Sequence, residues 1–179
     1  MLIDIEEFYD PIFSYGECFF GLSNIEKSIN DYPITLDADF QRGHVWTTDH
    51  QISFMSYLLS GGAVPPCYAN IGPHGTWEIG EMVDGKQRIT ACIEWRNGNI
   101  PAIINGKEIR WENLNERTQR MCSSQIGLRI AMLHTNRKGA LEVYIKINSG
   151  GIVHTKKEID RVRKLLEKSN VDVAVVNFV

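Results

Sequence analysis

Apolar residues along this chain recur at two spacings, and the switches between them predict short strands alternating with helices. Ser23-Asn24-Ile25-Glu26 has the form of a capping box and opens a short helix that must stop before Pro33. Ile34 to Ala38 alternates like a strand and delivers Gln41-Arg42 into a loop. Thr48-Asp49-His50-Gln51 reads as a second capping box, with Ile52, Met55, Leu58 and Leu59 at helical spacing until Gly61-Gly62. Cys67 to Ile71 and Trp77 to Val83 read as strands joined by the turn Gly72-Pro73-His74-Gly75. Arg88 to Arg96 then reads as a helix stopped by Asn97-Gly98, which leaves Asp84-Gly85 between strand and helix.

Farther on, Asn105-Gly106 lies between two short apolar runs in Ile100 to Trp111, a strong hairpin signal that predicts an edge hairpin. A short helix around Asn115 to Ser123, a strand from Leu128 to Leu133 and a helix from Ala140 to Ile147 follow, the last broken by Asn148-Ser149-Gly150-Gly151. Thr155-Lys156-Lys157-Glu158 forms a third capping box before Ile159, Val162, Leu165 and Leu166. The opposite face of that helix carries Arg161, Arg163 and Lys164, and a solvated face is the expected role of such a charge run. The apolar stretch Val171 to Val179 suits either a strand or a cover over exposed surface.

This pattern describes a single α/β (α+β) domain over residues 1–179, with a small mixed sheet and flanking helices. Its 179 residues, 43% hydrophobic and 23% charged, are ordinary for a globular protein. With 19 basic against 22 acidic residues and a formal charge of −3, any nucleic-acid contact must use a local patch. Cys18, Cys67, Cys92 and Cys122 are widely separated and read as free thiols, which points to a reducing, cytoplasmic setting. The first residues carry no basic region followed by an apolar run, and no apolar run has the length of a membrane span, so no membrane association is expected. The sequence does not speak to oligomeric state.

Candidate chemistry concentrates in Asp84-Gly85-Lys86-Gln87-Arg88. A glycine between strand and helix lets the backbone turn, and the amides of the following first helical turn point at whatever anion sits there. Two cations in that turn are unusual, because the helix dipole favours anions at this end. Asp84 has two open readings: a helix cap, or a carboxylate that holds Mg²⁺ or orients a water. Gln41-Arg42 precedes Gly43-His44-Val45-Trp46, which combines bidentate donors with an aromatic suited to phosphates and bases, although Trp46 alone reads as core. Asn148 either ends a helix or turns its amide to a ligand. The five histidines are scattered and form neither a nucleophilic triad nor a zinc motif.

The same residues carry a resemblance. Asp84-Gly85-Lys86-Gln87-Arg88 is similar to the Asp-Gly-Gln-Gln-Arg motif of the ParB/sulfiredoxin-like domain at the N-terminus of GmrSD-type modification-dependent restriction enzymes. Phe40 to Trp46 looks like that family's Gln-Arg…Trp segment, Leu59 to Pro66 like its small-residue and proline run, and Ile145 to Gly151 like its Ile-Asn-x-Gly segment. The match runs over about residues 34–166, with Lys86 in place of the first Gln. The chain stops where longer relatives continue into a helical region and often a nuclease domain.

The resemblance implies a nucleoside triphosphate with Mg²⁺ on the turn and hydrolysis in the service of DNA restriction, anti-restriction or modification. Asp84, Gln87 and Arg88 would be the catalytic set, and Asp84 the metal ligand. Gln41, Arg42, Gly85, Lys86, Arg88 and Asn148 would contact the nucleotide. DNA cleavage would then need a nuclease partner. Two alternatives remain: a non-catalytic nucleotide- or DNA-binding module, encoded by a phage or mobile element and acting on a host DNA-processing complex, and an enzyme acting on a base or nucleotide.

Overall fold

The computed structural model describes residues 15–41, 45–75, 78–149 and 160–167. Strands β1 (Tyr15–Gly21), β2 (Ile34–Thr35), β3 (Cys67–Asn70), β4 (Gly80–Asp84) and β7 (Gly127–Leu133) form one mixed sheet in the order β1-β7-β3-β4-β2. β1 runs antiparallel to β7, β7 parallel to β3, β3 antiparallel to β4, and β4 parallel to β2. Helices α1 (Ile25–Asp31), α2 (Thr48–Leu59), α3 (Lys86–Arg96) and α4 (Glu116–Ser124) bury Ile25, Met55, Ile89, Trp95 and Cys122 in a first core that includes Met82 and Ile130. A second core joins Val83 and Leu133 to Leu141 and Tyr144 of α5 (Arg137–Ser149) and Val162 of α6, residues 160–167. Successive strand residues point to opposite faces, so neighbours Met82 and Val83 serve different cores. The mixed α/β class is as expected.

Several local expectations change. The hairpin forms, with Asn105 at φ 51° and Gly106 at φ 73° between β5 (Ala102–Ile104) and β6 (Lys107–Ile109). It is a separate two-stranded sheet packed beside α2, not an edge of the main sheet. The cap of α2 is Thr47, one residue before the expected position: its hydroxyl accepts from the His50 amide at 3.3 Å while His50 Nδ1 accepts from the Thr47 amide at 3.4 Å. Ser23 caps nothing, because residues 22–24 form a 3-10 turn that runs into α1. The strand expected to reach Ala38 ends at Thr35, and β4 starts at Gly80. α5 runs through Asn148 to Ser149, within the expected break, and Gly150-Gly151 lie outside the described residues. β1 was not expected at all. The third capping box and the stretch 171–179 lie outside the described residues.

All four cysteines are free, and Cys67, Cys92 and Cys122 are buried. Among the described residues no helix is long and apolar enough to cross a membrane.

Candidate functional site

β4 ends at Asp84, Gly85 takes φ 112°, and α3 begins at Lys86, so the expected strand, turn and helix are all present. Gly85 is required here twice over. Its φ is one that side chains rarely adopt, and a Cβ would lie 2.3 Å from Cys67 Sγ. Gly85 is also the N-cap and supplies no side-chain hydrogen bond to the first amides of α3. Asp84 does not cap the helix either: it pairs with the guanidinium of Arg88 one turn on. Neither Gly85 nor Asp84 therefore caps α3 with a side chain, and a helix start of this kind suits an anion.

The cations of this turn already have partners. Arg88, with a side chain 14% exposed, reaches Asp84 with one terminal nitrogen and the Pro65 carbonyl with the other. Lys86, 13% exposed, meets Asp37 at 2.5 Å, while that carboxylate is 84% exposed. Gln41 Nε2 donates to the Met82 and Val83 carbonyls at 2.9 and 2.7 Å. Gln87 Oε1 accepts from the Val45 and Trp46 amides, both at 3.2 Å. Three segments distant in sequence, around Gln41, Val45-Trp46 and Pro65-Pro66, are thus fastened to β4 and α3 by side chains of the turn or by Gln41 itself. Trp46 packs on Phe54 at the edge of the first core, as its bland reading expects.

The floor of the turn is dry. Burial pushes the Cys67 thiol up to about 12; nearby Arg88 pulls it down and Asp84 pushes it up. Cys92, in α3, is raised well above the ordinary thiol range by burial, next by Cys67, with Arg88 opposing.

Not every expected residue joins the site. Asn148 is buried in α5, where its side-chain amide donates to the Tyr144 carbonyl at 2.7 Å. Nothing described links it to the turn, and its helical position gives it a local partner. Arg42, with Gly43 and His44, lies outside the described residues. Asp84 has no companion ligands: among the described residues no group of three or more His, Cys, Asp or Glu side chains is placed to hold a metal.

The family model of the GmrSD restriction endonuclease, N-terminal domain, matches residues 22–163. The chain belongs to that family. No curated protein and no solved structure matches it. Membership connects this GmrSD N-terminal domain to restriction-type DNA processing.

Two features of this GmrSD domain escape sequence reasoning. Arg161, exposed as expected of a solvated face, also donates to the Asp39 and Phe40 carbonyls at 2.9 and 2.7 Å, so α6 grips the segment leading to Gln41. Arg137, at the start of α5, pairs with Asp39 and with Glu81 at 2.5 Å and lies over the Phe40 ring. Partial burial opposes its charge, but Glu81 and Asp39 together raise its pKa. No local signal marks either residue, because their partners lie 56 to 122 positions away.

Proposed function

We propose that this domain binds a nucleoside triphosphate on the Asp84–Arg88 turn and uses it in restriction-type DNA processing. The observation that supports this most is the strand-turn-helix itself, in which a left-handed Gly85 opens α3 and Lys86 and Arg88 flank the turn. Phosphate oxygens would take amides at the start of α3, and Lys86 would exchange Asp37 for phosphate. Arg88 would keep its backbone contact to Pro65 and act chiefly by holding the turn in shape. Arg42 is assigned to the same ligand by resemblance alone. The residues suit Mg²⁺ carried on the phosphates, a mode that needs only one or two protein carboxylates, and Asp84 and Asp37 both stand at the turn. Bound there, the metal would neutralise phosphate charge. The described residues do not by themselves supply a cage built by the protein.

Whether the nucleotide is hydrolysed turns on Asp84. A carboxylate free to orient water would favour turnover, whereas one committed to Arg88 favours a module that binds without turnover. Calorimetry with ATP and GTP in the presence of Mg²⁺, paired with phosphate release, separates these readings. Lys86→Ala is expected to weaken binding about tenfold. Asp84→Asn keeps the shape of the side chain and is expected to preserve binding; if Asp84 orients the water, it lowers phosphate release on the order of a hundredfold. Wild-type protein that binds but releases no phosphate, alone or with DNA, establishes the module. Absence of nucleotide binding refutes both.

A further inference from the structure

At the other end of α3, two adjoining hollows of about 400 and 410 Å³ share Ser23, Asn24 and Arg96 and form one trough across the 3-10 turn at residues 22–24. Arg96 is held rigidly there. Its guanidinium lies 4.1 Å from the centre of the Trp111 ring, and its Nε donates to the Ser23 carbonyl at 3.2 Å. Trp111 is fixed in turn, edge to face with fully buried Trp95 at 6.0 Å, and Trp95 donates to the Ile109 carbonyl at 3.0 Å.

What Arg96 lacks is an anion. Of the partly buried lysine and arginine side chains among the described residues, Lys86, Arg88, Arg110 and Arg137 each have a carboxylate partner, and Arg96 has none. The one hydrogen bond it makes among the described residues uses Nε, and its terminal nitrogens take no part in it. A guanidinium stacked on an aromatic ring, with its fork free, is preorganised for bidentate contact with a phosphate or carboxylate.

The rest of the trough decides between these. Its lining mixes amides and hydroxyls, such as Asn97, Gln119 and Ser123, with the charged Glu26, Lys27, Glu116 and Arg120, and Trp111 is its one apolar side chain, already covered by Arg96. A protein partner would need an apolar or aromatic anchor site, and none is present. A nucleic-acid strand needs a cation for a phosphate and polar groups for sugar and water, which Arg96 and the amides and hydroxyls supply. Lys27 and Arg120 add cations at the rim, although each is engaged by a carboxylate, Asp31 and Glu116 respectively, and Glu26 also lines the trough. The contact is therefore modest in charge, in keeping with a net charge of −3.

We propose that this trough is a docking site for the backbone of a DNA strand, with Arg96 receiving a phosphodiester. It is separate from the nucleotide turn and does not depend on it. Fluorescence anisotropy with a labelled duplex oligonucleotide of mixed sequence, titrated over a range of salt, is the test. Arg96→Gln is expected to weaken DNA binding roughly tenfold and to reduce the salt slope by about one, since one phosphate contact is lost. Because Arg96→Gln also removes the stack on Trp111, Lys27→Glu serves as a second variant on an exposed side chain, and it is expected to weaken binding in the same direction. Nucleotide affinity should be unchanged in both. Wild-type protein with no DNA binding, both variants binding DNA as wild type does, Arg96→Gln losing nucleotide in place of DNA, or polyglutamate binding with the affinity and salt slope of DNA would each overturn the proposal.

Discussion

The two ends of α3 present the same kind of side chain in opposite states. At the N-terminal end, Lys86 and Arg88 sit in a turn whose backbone would draw in an anion, yet both are engaged by carboxylates of the chain itself. At the C-terminal end, about 16 Å away for eleven residues, Arg96 is held by a ring and a carbonyl and has no carboxylate. The first end must exchange partners to take a ligand; the second only has to receive one. Ligand binding at the turn should therefore be tuned by the competing carboxylates, and binding at the trough by salt.

The largest effect expected from this contrast concerns the dry floor of the turn. Cys67 ionises near 9 when unfolded and near 12 when folded, so the folded protein keeps a proton that the unfolded chain releases. Its contribution to stability is complete below pH 9 and is lost as pH rises through 12, at about 1.4 kcal/mol per pH unit within that window. Urea unfolding from pH 8 to 10.5 should show this decline, and Cys67→Ala should make it shallower, leaving the share of buried Cys92. An unchanged slope in that variant would mean the floor is wet. Next in size is Gly85→Ala, which is expected to cost about 2 kcal/mol or more, because strained backbone and a clash with Cys67 act together. Gly106→Ala has the strain without a neighbour within 4 Å and should cost about half as much. Equal costs would remove the packing argument for Gly85. Smallest is Asp37→Asn, which frees Lys86 from a mostly exposed carboxylate and should tighten nucleotide binding by a few-fold at most. A loss of affinity would show that Asp37 assists the ligand and does not compete with it.

Much of the N-terminal end of α3 was legible in the sequence because its signals are local. Asp84-Gly85 between an apolar run and a helical run marks a turn without knowledge of anything else, as Asn105-Gly106 marks the hairpin. The fates of the side chains were not legible. Asp84 reads equally as cap or ligand, and only the fold shows it paired with Arg88. β1 went unread because Phe19 and Phe20 are adjacent, which blurs alternation, and because its partner β7 lies more than a hundred residues away. Arg161 reads as surface charge until Phe40 is brought beneath it, and Arg96 as an ordinary helix-end cation until the hairpin carries Trp111 under its guanidinium. In each case the missing information is a long-range contact, and no spacing encodes that.

The account assigns nucleotide to one end of α3 and no nucleotide to the other, so the most direct measurement is a calorimetric titration of the full chain with ATP and GTP in Mg²⁺, run on wild type, Lys86→Ala and Arg96→Gln in parallel. The expected result is measurable binding by wild type, a loss of about tenfold in Lys86→Ala and no change in Arg96→Gln. Wild-type binding that survives Lys86→Ala intact but falls in Arg96→Gln would put the nucleotide at the wrong end of the helix and contradict the account.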